Sequence, residues 1–435
     1  MRRKHSLLLM LLFFSAGLLH AQQKLTLDLE GAVKYALQYN KTMKNSGMAV
    51  DQAGEKLKEA IANGLPQLNA AVDYSNALGA KIKIRFNPDM PASEIPIKPT
   101  SNFNLNVGQL LFSGSYLVGI QSAKLFKSLT EKSLEKTELE IISQVTEGYH
   151  LVLVSQELLK IMEQNRANLQ EVYRKTEPLV RVGMIEKTDL DQLSVQVTSL
   201  QNAVNASERQ LELATNMLRL QLGVPAETEI ELTETLAQML EEPAFEAPLL
   251  QSFTLEQNVD YQLMNYQEKM SAKMVDLQKT HSLPTLSGFY SFTHKLLKPD
   301  FDMSPANIVG LKMNIPVFSS GLRNAQLRQA QIDLETARNN KALLADQLQI
   351  QEKQLRFNLT NALENYTNQK NNVEVSRRVY ASLNLKYTQG LISSLDLITA
   401  DNNYLRAETD YISSVLQVLQ ARTELEKIYG SLKQQ

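Results

Sequence analysis

Residues 309–323 read Val309-Gly310-Leu311-Lys312-Met313-Asn314-Ile315-Pro316-Val317-Phe318-Ser319-Ser320-Gly321-Leu322-Arg323, and two kinds of structure meet inside them. Up to Ile315 the chain alternates. Val309, Leu311, Met313 and Ile315 fall on one face, while Gly310, Lys312 and Asn314 fall on the other, which is the period-2 pattern of a half-buried strand. Pro316, Ser319, Ser320 and Gly321 then break the pattern. From Gly321 to Gly390 the chain runs 69 positions without a proline. A helix of that length would be about 100 Å long at 1.5 Å per residue, too long to be buried in a globular domain.

The same junction occurs earlier in the chain as Leu111-Phe112-Ser113-Gly114, and again 69 positions separate Gly114 from Gly183, with Pro178 alone near the far end. Other landmarks recur in the same order. Asn40 precedes Leu65-Pro66 by 25 positions, as Asn258 precedes Leu283-Pro284. Gly183, Asp189 and Gly223 match Gly390, Asp396 and Gly430 at an offset of 207. Repeated landmarks in one order are the mark of an internal duplication. The boundaries read as a first repeat over 22–224, a connector over 225–254 with Pro225, Pro243 and Pro248, a second repeat over 255–430 and a tail over 431–435.

Each repeat carries two alternating stretches. Leu68, Ala70, Val72 and Tyr74 oppose Gln67, Asn69, Asp73 and Ser75; Phe103, Leu105 and Val107 oppose Asn102, Asn104 and Asn106. In the second repeat, Leu286, Tyr290 and Phe292 oppose Thr285, Ser287 and Ser291. Strands of about ten residues suit a tilted crossing of a bilayer, although alternation alone equally describes a soluble hairpin. Leu78 to Thr100 and Lys295 to Ala306 join the strands as loops; the first holds Pro88, Pro91, Pro96 and Pro99, and a tag at Met90 is expected to face outward. After each tip glycine the chain returns in heptads. Leu190, Leu193, Val197, Leu200, Val204, Leu211, Ala214 and Leu218 keep a 3-4 spacing, and so do Leu397, Ala400, Tyr404, Ala407, Tyr411, Val418, Ala421, Leu425 and Ile428. That spacing makes a left-handed coiled coil.

Arg2, Arg3 and Lys4 followed by an apolar run from Leu7 to Leu19 read as a secretory signal peptide over 1–21. No later stretch is apolar for long enough to span a membrane as a helix. A secreted chain without such helices is soluble or a β-barrel. Cysteine is absent, which excludes disulfides, thiolate metal sites, a cysteine nucleophile and a lipidated N-terminal cysteine. The net charge of −2, more negative once the basic leader is removed, argues against a nucleic-acid partner. His150, His281 and His294 lie outside the leader; His150 has no histidine or acidic residue at i±4 and reads as a seam or surface residue. No nucleophile elbow, Walker loop or zinc signature is present, so neither enzyme activity nor a cofactor is expected.

The opening Thr26-Leu27-Asp28-Leu29-Glu30-Gly31-Ala32-Val33-Lys34-Tyr35-Ala36-Leu37 with Asn40, the two Leu-Pro strand entries, Ile315-Pro316-Val317-Phe318-Ser319-Ser320-Gly321-Leu322-Arg323, and the tips Val182-Gly183-Met184 and Gln389-Gly390-Leu391 together resemble the TolC outer-membrane factor family over essentially the whole mature chain. The resemblance implies a mixed α/β membrane protein. Its four strands per protomer would join in a homotrimer as a 12-stranded transmembrane β-barrel, continued by a long coiled-coil α-helical barrel in the periplasm. A four-stranded sheet in lipid has two bare edges costing several kcal/mol per unsatisfied group. Closure therefore demands partners, though that argument alone also allows a dimeric eight-stranded barrel. The implied function is passive passage of cargo across the outer membrane, in contact with its lipid, in company with a periplasmic adaptor (membrane fusion) protein and an inner-membrane pump. A periplasmic coiled-coil scaffold without a pore is the alternative, and it leaves the four alternating strands unexplained.

The resemblance also assigns site residues. Val182, Gly183, Met184, Gln389, Gly390 and Leu391 fall on the adaptor-contact tips. Asp189, Tyr387 and Asp396 fall on gate positions, with Thr188 beside them. A tyrosine hydroxyl donating to a carboxylate is worth ~1.5–3 kcal/mol when shielded, and a ring of three Asp396 carboxylates would favour cations. Ile392 and Thr399 stand where the family often has an arginine and a second aspartate. The glycines also suit helix ends that need φ > 0, and Asp189 and Asp396 also suit helix N-caps.

Overall fold

A computed structural model describes residues 24–85, 91–240, 245–297 and 304–434. The signal peptide over 1–21 and the loop position Met90 lie outside the described residues. In chain order the elements are β1 (Lys24–Leu27), α1 (Leu29–Tyr39), α2 (Lys41–Ala62), β2 (Gln67–Ser75), β3 (Lys81–Ile84), β4 (Ser93–Pro96), β5 (Thr100–Phe112), α3 (Gly114–Arg181), α4 (Lys187–Leu222), β6 (Glu229–Leu232), α5 (Leu236–Leu240), α6 (Ala247–Leu250), α7 (Val259–Thr280), β7 (Thr285–Leu297), β8 (Asn307–Asn314), α8 (Leu322–Thr388) and α9 (Ser394–Tyr429). The two long helices span 68 and 67 residues, and the two return helices 36 each. Contacts divide the chain into two compact units, 48–132 with 262–343, and 1–47 with 133–261 and 344–435. Neither unit is one sequence repeat; each repeat contributes to both.

The first unit holds the antiparallel sheet β2-β5-β7-β8. The repeats meet at its centre, where β5 pairs with β7. Register puts the apolar positions in rows. Leu68, Val107, Tyr290 and Val309 form one row, and Ala70, Leu105 and Phe292 the next. On the outer strands these side chains stay open, with Leu68 64% and Val309 83% exposed, while Leu105, Val107 and Phe292 are half-buried. The opposite face is polar and internally bonded. Ser291 donates to the Asn106 side-chain oxygen at 2.6 Å, Thr293 to that of Asn104 at 2.9 Å, and the Asn102 and Asn104 side-chain amides donate to Asp73 at 2.9 and 2.6 Å. β2 and β8 each have one strand neighbour among the described residues. The junction between β8 and α8 is pinned by Arg323, whose guanidinium donates to the Ser319 hydroxyl at 3.0 Å and the Pro316 carbonyl at 2.8 Å.

In the second unit, the repeats keep a matched pair of anchors. The Asn40 amide donates to the Gln221 carbonyl at 2.7 Å, while its oxygen accepts from the backbone of Thr42 and Met43. Asn258 does the same to Ile428 at 3.0 Å, accepting from Asp260 and Tyr261. Each asparagine starts one helix while satisfying a carbonyl at the end of another, the kind of orphan group every helix terminus leaves. The served helices end at Gly223 (φ 76°) and Gly430 (φ 72°), left-handed caps that suit glycine. Apolar clusters join α1 and α4 to α3 around Val145, Tyr149 and Leu218, α3 to α9 around Val154 and Val415, and α9 to α8 around Leu359 and Leu425. His150 is buried between them, which supports the seam over the surface reading.

One expectation needs correction and one gains detail. The stretch 78–100 is more than a loop, since it contains the hairpin β3–β4, with Ile82 opposite Ile95. The connector contributes β6, which pairs in parallel with β1. Four-residue strands are too short for alternation to stand out from chance, and a parallel pair between residues 24 and 229 leaves no local turn to read.

Candidate functional site

The tips are two helix-to-helix turns in the second unit. At the first, Met184 N–H bonds back to the Leu179 carbonyl at 2.9 Å; at the second, Leu391 N–H bonds back to Lys386 at 3.0 Å. Gly183 (φ 77°) and Gly390 (φ 73°) occupy the left-handed position that closes each turn, where a side chain would be strained. The turns expose apolar side chains, Val182 at 70%, Met184 at 75% and Leu391 at 68%; Gln389 is exposed beside them.

Behind the turns the four long helices converge on Leu169, Leu193, Leu200, Tyr387, Leu397 and Ile398. Tyr387 is buried, and its hydroxyl shares a 2.9 Å hydrogen bond with Thr176 on α3. Burial, and after it the nearby Asp189 charge, push the Tyr387 hydroxyl above its ordinary pKa, so it stays protonated at physiological pH. Asp189 accepts a short bond from the hydroxyl of fully buried Ser394, which also reaches Gln192 at 3.1 Å. Within one chain, Asp189 therefore ties α4 to α9, and Tyr387 ties α8 to α3. Thr188 turns instead to Glu186 at 3.1 Å.

Neither aspartate is a helix N-cap. Ser393 caps α9, and Asp396 at the third position accepts from the Ser393 N–H at 3.2 Å and hydroxyl at 2.8 Å, completing a capping box. Glu186 is the N-cap of α4 without a side-chain bond, and Asp189 lies in the first turn. In both cases the aspartate falls one turn later than the cap reading placed it. Thr399 is spent on its own helix, bonding to Leu395 at 2.7 Å. Ser394 and Thr176 escaped the sequence reading, because a serine or threonine on a helix carries no signal until its partner helix is known.

The profile of the outer membrane efflux protein family matches residues 32–224 and 250–431. The chain belongs to that family. Its members are outer-membrane channel proteins rather than enzymes, and outer membrane is the location of this chain. Among relatives, the proteases secretion protein PrtF of Dickeya chrysanthemi is 22% identical over 448 residues, covering 100% of this chain and 94% of that protein. The outer membrane protein TolC of Escherichia coli is 21% identical over 411 residues, covering 91% and 80%. Among solved structures, the CmeC outer membrane channel of Campylobacter jejuni superposes with a TM-score of 0.73 at 18% identity, over 93% of this chain and 85% of that one. VceC of Vibrio cholerae superposes with a TM-score of 0.73 at 15% identity, over 92% and 96%. The fold is thus that of the outer-membrane efflux channels.

Proposed function

We propose that three copies of this chain assemble into a channel in which four strands from each close a 12-stranded barrel, giving cargo passive passage through the outer membrane as part of a multi-component efflux or secretion system. One observation carries the reading: a four-stranded sheet with a largely open apolar face, a hydrogen-bonded polar face and, among the described residues, strand neighbours on only one side of β2 and β8. A soluble sheet shows the polar face to water; lipid outside and a wet lumen reverse that order. Closure by further copies satisfies the edges. The helices supply a second support. α4 leaves Leu213, Met217 and Leu220 exposed, and α8 leaves Ile350 and Phe357 exposed. Each stripe has helical spacing, as expected where the outer helix of one copy meets that of the next.

The tips serve as the periplasmic end. Val182, Met184 and Leu391 offer apolar contacts to an adaptor protein coupled to an inner-membrane pump, with Gly183, Gln389 and Gly390 shaping the turns. Asp189 and Tyr387 hold the converging helices closed, and Asp396 adds negative charge near the narrowed lumen. Cysteine pairs test the assembly: Leu220→Cys with Phe357→Cys should give a covalent trimer ladder in membranes. Monomer alone, with both cysteines reactive to maleimide, would contradict it. For the gate, Tyr387→Phe with Asp189→Ala should raise single-channel conductance, and Asp396→Ala should lower cation selectivity; parental behaviour in both would place closure elsewhere.

A further inference from the structure

Along α9 one inward face carries Ser394, Leu397, Ile398, Asp401, Leu405, Glu408, Ile412 and Val415, with buried Ala400, Ala407 and Ser414 beside it. The spacing is that of an apolar helix face, interrupted by carboxylates at 401 and 408. Asp401 is 1% exposed, so it reaches neither bulk water nor a lumen. From α3, the amide of buried Asn165, oriented to satisfy its neighbours, donates to both Asp401 oxygens at 3.1 Å. From α8, the Tyr380 hydroxyl acts on Asp401. Tyr380 also stacks on Tyr404 of α9, ring centroids 5.7 Å apart and 13° between planes, and Tyr404 donates a short bond to Glu408. Further out, Arg377 of α8 and Glu157 of α3 act on Glu408. One connected polar network thus pins α3, α8 and α9 together. It lies one heptad above the candidate gate on both arms of the same hairpin, since Asp401 follows Ser394 by seven positions and Tyr380 precedes Tyr387 by seven.

We propose that Asp401, held by Asn165 and Tyr380, is a positioning residue for the gate: a second clamp on the α8–α9 hairpin whose protonation state sets how tightly the hairpin is held against α3. The inference rests on the reading of the tips as the closed end. Asn165 and Tyr380 are both neutral, and the charge acting on Asp401 is another carboxylate, Glu408. A buried carboxylate without a cation favours its neutral form, and burial pushes Asp401 up to about 7. The native pKa therefore lies above the unfolded value near 3.8. The clamp holds fully below about pH 4 and weakens progressively as pH rises to about 7, beyond which the loss is complete. Neutral Asp401 accepts and donates within the network; the anion is a buried charge that the hairpin relieves by parting from α3.

The test is single-channel recording of the full protein in planar bilayers at pH 5.5 and pH 8. The conducting fraction of the parent should be about three- to tenfold higher at pH 8, a part of the full proton linkage because opening only partly hydrates the site. Asp401→Asn, uncharged and nearly isosteric, should flatten that dependence. Asn165→Leu removes a bond that favours the anion, so the midpoint should move to higher pH, which a merely structural contact would not do. A parent insensitive to pH, or an Asp401→Asn channel with the parental slope, overturns the inference. Tyr387→Phe with Asp189→Ala reports separately on the gate: raised conductance with the pH slope intact keeps both, whereas unchanged conductance alongside a slope lost only in Asp401→Asn removes the tip gate and leaves the clamp acting on another closure.

Discussion

α4 and α9 are the same helix in two copies, each of 36 residues, yet six side chains of α4 are buried against fifteen of α9. Both keep the heptad seam. The difference lies in their neighbours: α9 is packed by α3 on one side and α8 on the other, while α4 packs along its body on α1 and α3. Duplication thus supplied one helix pattern, and position in the fold gave it two roles. The more enclosed copy gained polar groups that its twin lacks. Asp401 stands where α4 has exposed Ser194, and capped Ser393 where α4 has uncapped Glu186. His150 on α3 is buried, and its counterpart Phe357 on α8 is exposed.

The largest test of that asymmetry is truncation of the seam. Leu397→Ala opens a fully buried site and should cost ~2–5 kcal/mol, whereas its half-buried counterpart Leu190→Ala should cost about 1 or less. Melting of the helical signal measures both, and equal losses would break the comparison.

Acid tests it next. Burial, then the neighbouring Arg422 charge, push His150 down to about 4. The unfolded chain takes a proton that the native chain refuses, so stability is lost as pH falls from about 6.5 towards 4, by about 2 kcal/mol at pH 5. His150→Phe, which installs the residue of the other repeat, should abolish that slope between pH 6.5 and 5. A slope unchanged in the variant would assign acid sensitivity elsewhere.

Where the repeats remain alike, effects should match. Asn40→Ala and Asn258→Ala each remove the same three bonds and should each cost about 1 kcal/mol; a loss confined to one would mean that the anchors are not equivalent. The smallest effect is at the caps. Ser393→Ala should cost ~0.5–1 kcal/mol and Glu186→Ala almost nothing, read as faster amide exchange in the first turn of α9 only.

The long helices, the four sheet strands and the two tip glycines were legible in the sequence because their signals are periodic over many residues or depend on backbone conformation alone. The pairs β1–β6 and β3–β4 were not, being four residues long. The resemblance names Tyr387 and Asp189 as gate positions; within one chain their bonds go to Thr176 and Ser394, and choosing those partners requires knowing how four helices converge. Asp401 was open to discovery: a carboxylate on an otherwise apolar helix face signals a buried network. The heptad seam through Leu397, Ala400 and Tyr404 does not include it, so heptad spacing alone leaves it unmarked.

If this chain forms a pore, it conducts. Purified protein added to a planar lipid bilayer should insert as discrete, uniform conductance steps. Folded protein with its helical content intact that binds the bilayer but passes no current, with the tip variants Tyr387→Phe and Asp189→Ala equally silent, would contradict the channel and favour a scaffold.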